Sequence, residues 1–144
     1  LSSYSGQTGR IVIAYKVNSG FRQDIQLDDM ELRETTSGTI DLDPGTSTGR
    51  GNWQKKTAYT TSLSYPTTGW SSISISTSSS NVWNYDAGGT PSGSTGGTRD
   101  VSGSTSGYYL YFESSSPNNS SSTRYYWIRT AYSYTLSGGS GGGK

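Results

Sequence analysis

The chain has 144 residues and a formal net charge of +1, with 28% hydrophobic residues, 12 Tyr, 4 Trp and neither Cys nor His. That length suits one domain with a modest core, and the missing Cys and His exclude disulfide scaffolds, zinc fingers, thiol proteases and Ser-His-Asp hydrolases. The small net charge gives no reason to expect a nucleic-acid partner, and no apolar run reaches the ~18 residues that would imply membrane insertion.

A hydrophobic share of 28% is low against a usual ~45–50% on a count that includes Gly. Gly, Ser and Thr fill the difference. Disorder is the plain reading of such polarity, but charge is also sparse, and the Tyr and Trp side chains supply large buriable surfaces, which predicts a folded β domain. A domain of this size without disulfides is consistent with assembly in a reducing cytosol. The chain begins at Leu1 without Met and without a signal peptide, as a processed product or part of something longer would.

Taken in chain order, RIVIAYKV (10–17) alternates Ile11, Ile13, Tyr15 and Val17 against Val12, Ala14 and Lys16. Both sets are largely apolar, which predicts a central strand. Asn18 to Gly20 is a turn signal, and QDIQLDDMEL follows as a second strand, so the two are expected to form an antiparallel hairpin. Ile25 and Leu27 share one parity and Met30 and Leu32 the other, so the inward face switches near Asp28-Asp29, through a bulge or a strand break. A short strand at Thr39–Leu42 ends in the turn Asp43-Pro44-Gly45, and a glycine-rich link precedes a strand at NWQKKTAYT. YPTTGW is a turn, SISIST points Ile73 and Ile75 inward, and VWNY precedes a long loop at 88–107. GYYLYFE and RYYWIRTAYSYTL are the last strands, and no stretch predicts a convincing helix. Residues 1–137 thus read as a single antiparallel β-sandwich, with jelly roll the expected topology, and 138–144 as a Gly/Ser-rich flexible tail.

Seven of the ten acids, Asp24, Asp28, Asp29, Glu31, Glu34, Asp41 and Asp43, fall in one short stretch. Such an edge either holds a cation or keeps a strand soluble. The aromatics Tyr108, Tyr109, Tyr111, Tyr125, Tyr126, Trp127, Tyr132 and Tyr134 occur on both strand parities. One parity is core, and the other offers an outer face for a subunit interface or for sugar stacking.

From Asn81 onward the chain carries Trp83, Thr90-Pro91-Ser92, Thr95-Gly96, the strand Tyr109-Leu110-Tyr111-Phe112-Glu113 with its exit Ser114 to Ser116, and TRYYWIRT. In these elements it resembles the MAM-type jelly-roll family, relatives of concanavalin A-like sandwiches. Leu27-Asp28-Asp29-Met30 is similar to the family's closing strand. Here that strand precedes the loop motif, a rotated order, Gly97 stands where the family has proline, and the family's disulfides are missing. The resemblance implies a Ca²⁺ site at Asp28, Asp29 and Glu113. The competing reading is that Asp28 and Asp29 accept backbone hydrogen bonds and pin the strand switch.

Concanavalin-like glycosidases also line a strand with acids. Strand neighbours two apart lie roughly 6.6–6.8 Å apart, whereas retaining chemistry wants carboxyls ~5–5.5 Å apart. In this run only Asp29 and Glu31 stand in that relation, and position 26 is Gln, so the glycosidase pattern of Glu-x-Asp-x-x-Glu is not reproduced. A non-enzyme is the expectation.

Cysteine-free, Ser/Gly/Thr-rich domains of this kind are similar to structural modules of tailed bacteriophages. The resemblance implies a decoration, knob or fibre part on the virion surface or otherwise extracellular, docking to capsid or tail proteins and to copies of itself. The contact residues expected are Trp83, Tyr109, Tyr111, Trp127, Tyr132 and Tyr134. The alternative is a carbohydrate-binding module that recognises a host surface polysaccharide.

Overall fold

The computed structural model describes residues 2–18, 24–77, 81–90, 97, 102–114 and 122–138. Its elements in chain order are a 3₁₀ turn at Ser2–Tyr4, then β1 (Thr8–Gly9), β2 (Val12–Val17), β3 (Ile25–Leu27), β4 (Glu31–Thr35), β5 (Gly38–Asp41) and α1 (Ser47–Gly51). There follow β6 (Trp53–Lys56), β7 (Trp70–Ser72), β8 (Trp83–Ala87), β9 (Tyr108–Phe112), β10 (Arg124–Thr130) and β11 (Tyr134–Thr135). Four strands in the order β2-β10-β6-β7 form one sheet and three in the order β3-β9-β8 form the other, with two-stranded pairs β4-β5 and β1-β11 beside them. Every strand pair is antiparallel. The fold is an all-β antiparallel sandwich.

Aromatic rings bind the two layers together. Phe112 of β9 packs edge-on to Tyr15 of β2 at 5.1 Å, and lies 4.6 Å from Tyr126 of β10 and 5.4 Å from Trp83 of β8. Register explains the choice of residues. Ile25, Phe112 and Trp83 stand side by side across the small sheet, and Leu27, Leu110 and Tyr85 form the next row. Facing them are Ile13 and Tyr15, paired with Ile128 and Tyr126 of the large sheet. These rows form the hydrophobic core, and each large side chain taken from water contributes about 1.5–3 kcal/mol.

Several expectations change at the level of pairing. β2 lies at the end of its sheet's order rather than inside it, and it does not form a hairpin with β3, because β2 pairs with β10 while β3 pairs with β9 in the opposite layer. The parity switch is a strand break. Asp29 adopts the left-handed φ of 52°, its amide donating to Asp28 Oδ1 at 2.9 Å. The bulge comes later, between Leu32 and Thr35, where Glu34 has φ 59°. Ile73 is buried as expected, but Ile75 is 56% exposed. After β7 the chain crosses to the other layer and bridges Tyr85 in parallel, through Ser76 N to Tyr85 O and Tyr85 N to Ser74 O, both 2.9 Å.

The glycine-rich link contains a helical turn that composition does not predict. Thr46 caps α1 by accepting from Gly49 N at 2.8 Å, and Gly49 is required by close approach, since a Cβ there would stand 1.9 Å from Asp43 O. Asp41 and Asp43 serve the same turn: Asp41 accepts from Thr46 Oγ1 at 2.5 Å and Asp43 from Gly45 N at 2.8 Å. Of the loop motif, 91–96 lie outside the described residues, as do 115–121 and the tail from 139.

Candidate binding face

The pleat sends alternate residues of the large sheet outward, so Tyr125, Trp127 and Arg129 of β10 share the face opposite Tyr126 and Ile128. Register extends that face to Lys16, Ala14 and Val12 on β2 and, on the other side, to Gln54 and Lys56 on β6 and to Ser72 and Trp70 on β7. The 57–69 connection folds over part of it. Thr60 exchanges backbone hydrogen bonds with Tyr125 at 2.8 and 3.0 Å and accepts the Trp127 indole N–H at 2.8 Å. Tyr65 then lies edge-on to Trp127 at 6.4 Å and 5.9 Å from Trp70, the latter two rings inclined by 31°.

Arg129 ties this layer together. Its guanidinium lies 4.2 Å from the centre of the Trp70 ring, with Nε donating to Gln54 Oε1 at 3.0 Å and Nη1 to the Tyr65 hydroxyl at 2.9 Å. Tyr65 remains 44% exposed, Trp70 and Tyr125 are half-buried, and Lys16 is exposed. The face is therefore a shelf of rings on a Trp127 floor, edged by cations.

No family model matches this chain, and neither a curated protein nor a solved structure matches it.

The six aromatics expected from sequence take different places. Trp83 points inward against Phe112, and Trp127 is 5% exposed beneath Tyr65 and Tyr125, so neither is an outer contact. Tyr109 and Tyr111 lie on the outward parity of the small sheet but are fully buried. The Tyr109 hydroxyl donates to Gly88 O at 3.0 Å, and Gly97, whose carbonyl accepts from Thr90 N, sits so close that a Cβ there would stand 2.0 Å from Gln26 Oε1. Gly88 and Gly97 thus both lie against this sheet. Tyr132 is 61% exposed, and Tyr134 is half-buried with its hydroxyl enclosed. Burial raises the Tyr134 phenol above its ordinary value.

The three acids expected at a metal do not converge. β3 and β9 run antiparallel with Leu27 opposite Leu110 and Ile25 opposite Phe112. Glu113 consequently lies beside Asp24, while Asp28 and Asp29 leave the far end of β3, about 13 Å along the strand at ~3.3 Å per residue. Among the described residues no three acids are grouped to hold a metal ion. Asp28 instead holds the Asp29 amide at the strand break. Glu113 accepts from the Tyr111 hydroxyl at 2.7 Å, with Asp24 Oδ2 at 3.1 Å from the same oxygen and Asp24 Oδ1 accepting from Ser114 N.

Asp86 belongs to none of the acidic motifs of the sequence. It is buried on β8, with Oδ1 accepting from Ala87 N at 2.8 Å and Oδ2 without a hydrogen-bond partner among the described residues. Desolvation raises its carboxyl above the ordinary value, and burial together with the nearby Asp86 charge pushes the Tyr109 phenol up to about 12. On the opposite layer Lys55 reaches inward to the Trp83 carbonyl at 2.9 Å, and burial lowers its ammonium. Two hollows lie among the described residues, an apolar one of about 260 Å³ between Tyr4, Arg10, Leu32 and Tyr134 and an open one of about 330 Å³ between Arg50, Trp53, Ile75 and Tyr85, and no described acid lines either. The ring shelf is the arrangement whose chemistry is contact.

Tyr65, Trp70, Tyr125 and Arg129 were available to sequence reading in part. YPTTGW places a ring at each end of a turn, and the parity of RYYWIRT sets Tyr125, Trp127 and Arg129 together. What joins the two motifs is the 57–69 crossing, which no local pattern encodes.

Proposed function

We propose that this chain is a non-enzymatic contact module, a MAM-like jelly-roll sandwich carried on the surface of a virion, as a capsid decoration or as a tail or fibre part of a bacteriophage. The observation that carries the reading is the division of its aromatics. One set closes the core around Phe112, and a second set is held outward at Tyr65, Trp70 and Tyr125 on a rigid sheet. Rings of that kind supply much contact area at little conformational cost. The MAM-like assignment is supported by β3 lying directly beside β9, which brings the two motif strands into one sheet.

Repetition of such a module on a particle lets weak single contacts with capsid or tail proteins, or between copies, accumulate into firm attachment. A carbohydrate-binding role is the second reading, favoured by the polar groups Gln54 and Arg129 set among the rings. Purified particles from the source culture test the virion assignment. The chain should be found by peptide mass spectrometry in particles banded on a density gradient, and antibodies against it should decorate their surface. Its absence from washed particles would reject that assignment.

A further inference from the structure

We propose that the outer face of the four-stranded sheet binds an acidic polysaccharide, with sugar rings stacked on Tyr65, Trp70 and Tyr125 and acid groups met by Arg129, Lys16 and Lys56. The proposal rests on the contact reading of that face and deepens it by naming the partner's chemistry.

Charge is the first argument. β2, β6, β7, β10 and the 57–69 connection contain no Asp or Glu, and no acid occurs anywhere between Asp43 and Asp86 or after Glu113. The face therefore carries positive charge alone, in a molecule whose net charge is only +1. Donor supply is the second argument. A guanidinium has five N–H donors, and among the described residues Arg129 bonds Gln54 and Tyr65 while its Cζ lies over the Trp70 ring. Further donors are held at ring height, where a carboxylate or sulfate on a stacked sugar would lie, and charge-assisted bonds there are the strong ones. Exposure is the third. Tyr65 and Trp70 stand 5.9 Å apart, inclined by 31°, on the outward side of the sheet with Tyr65 44% exposed, and adjacent outward rings suit an extended sugar chain. Cations are too sparse for a polynucleotide, whose phosphate at every residue demands a denser basic surface and a domain pI above ~9. The pI here is about 8.1.

Affinity electrophoresis of the whole chain through gels containing alginate (carboxylate), carrageenan (sulfate) or neutral dextran tests this at about 0.15 M ionic strength. The expected result is retardation by one or both acidic polymers and none by dextran. Tyr65→Ala and Lys16→Glu, both at exposed positions, should weaken it about fivefold, the scale of one ring or charge contact, with an unchanged melting temperature for Lys16→Glu and a small drop for Tyr65→Ala, which loses the Arg129 bond. Arg129→Gln should lessen the preference for acidic over neutral polymer. Free migration of the parent chain in both acidic gels would overturn the proposal. So would equal retardation by dextran, undiminished retardation of the Tyr65 and Lys16 variants, equal capture of an oligo-dT strand, or use of this face for self-association that the same substitutions abolish. The gel result does not depend on the particle assay: a chain found on virions that migrates freely loses only the polysaccharide, and a chain retarded here but absent from particles loses only the virion assignment.

Discussion

The Arg129 guanidinium stacks on the Trp70 ring at 4.2 Å, linking β10 to β7 across the intervening β6. A cation over an indole is worth about 0.5–1 kcal/mol at a partly exposed site, and the Gln54 and Tyr65 bonds add to it. Lysine cannot reproduce the planar fork. Arg129→Lys should therefore lower stability by about 1 kcal/mol in urea melts and shift the tryptophan emission. An unchanged denaturation midpoint would show that the stack is incidental.

Phe112 meets Tyr15, Trp83 and Tyr126 at once, so its removal leaves a void that three fixed rings cannot close. Phe112→Ala should cost about 3–5 kcal/mol, whereas Tyr132→Ala, at an exposed position, should stay within about 0.5 kcal/mol. Equal costs for the two, measured by denaturant unfolding, would contradict the assignment of core and surface.

The contrast between these two tyrosine-rich regions shows what the sequence carried and what it did not. Alternation in RIVIAYKV and RYYWIRT identifies β2 and β10 as strands but does not choose the inward parity, because both parities carry apolar or aromatic residues. Adjacency in the chain misled at β2 and β3, whose partners are β10 and β9 in opposite layers. Tyr109 and Tyr111 have outward parity and are nonetheless buried, with Gly88 and Gly97 lying against their side of the sheet. Local pattern reports which residues share a face and is silent on what lies over that face. The α1 turn is missed from the sequence, because Ser, Thr and Gly are poor helix formers and the turn is held by the Thr46 cap.

Asp86 gives a pH dependence of fixed sign. Burial raises its folded-state value, so between the ordinary Asp value near ~3.9 and that raised value the folded chain holds more proton than the unfolded one. This contribution to stability is complete below the window and is lost as pH rises through it. Asp86→Asn keeps the oxygen that accepts from Ala87 N and removes the titration. The variant should melt a few degrees above the parent at neutral pH, with the difference shrinking as the medium is acidified. A variant that melts lower at neutral pH would contradict the account of Asp86.

Asp28 and Asp29 lie at one end of β3, and Glu113 lies beside Asp24 at the other. Calcium should therefore leave the melting temperature where EDTA leaves it. A rise of several degrees with millimolar calcium, abolished by Asp28→Asn, would restore the metal site that the sequence resemblance implied.

The chain's 4 Trp make their own reporters for the contact face. Trp53 and Trp83 are sealed in the core, while Trp70 and Trp127 form the shelf and its floor. Four indole N–H signals in a nitrogen-15 correlation spectrum, recorded as alginate oligosaccharide is added, test the central claim directly. The account predicts progressive shifts of the Trp70 and Trp127 signals with Trp53 and Trp83 unmoved. Shifts confined to Trp53 and Trp83, or no shift at saturating ligand, would contradict it.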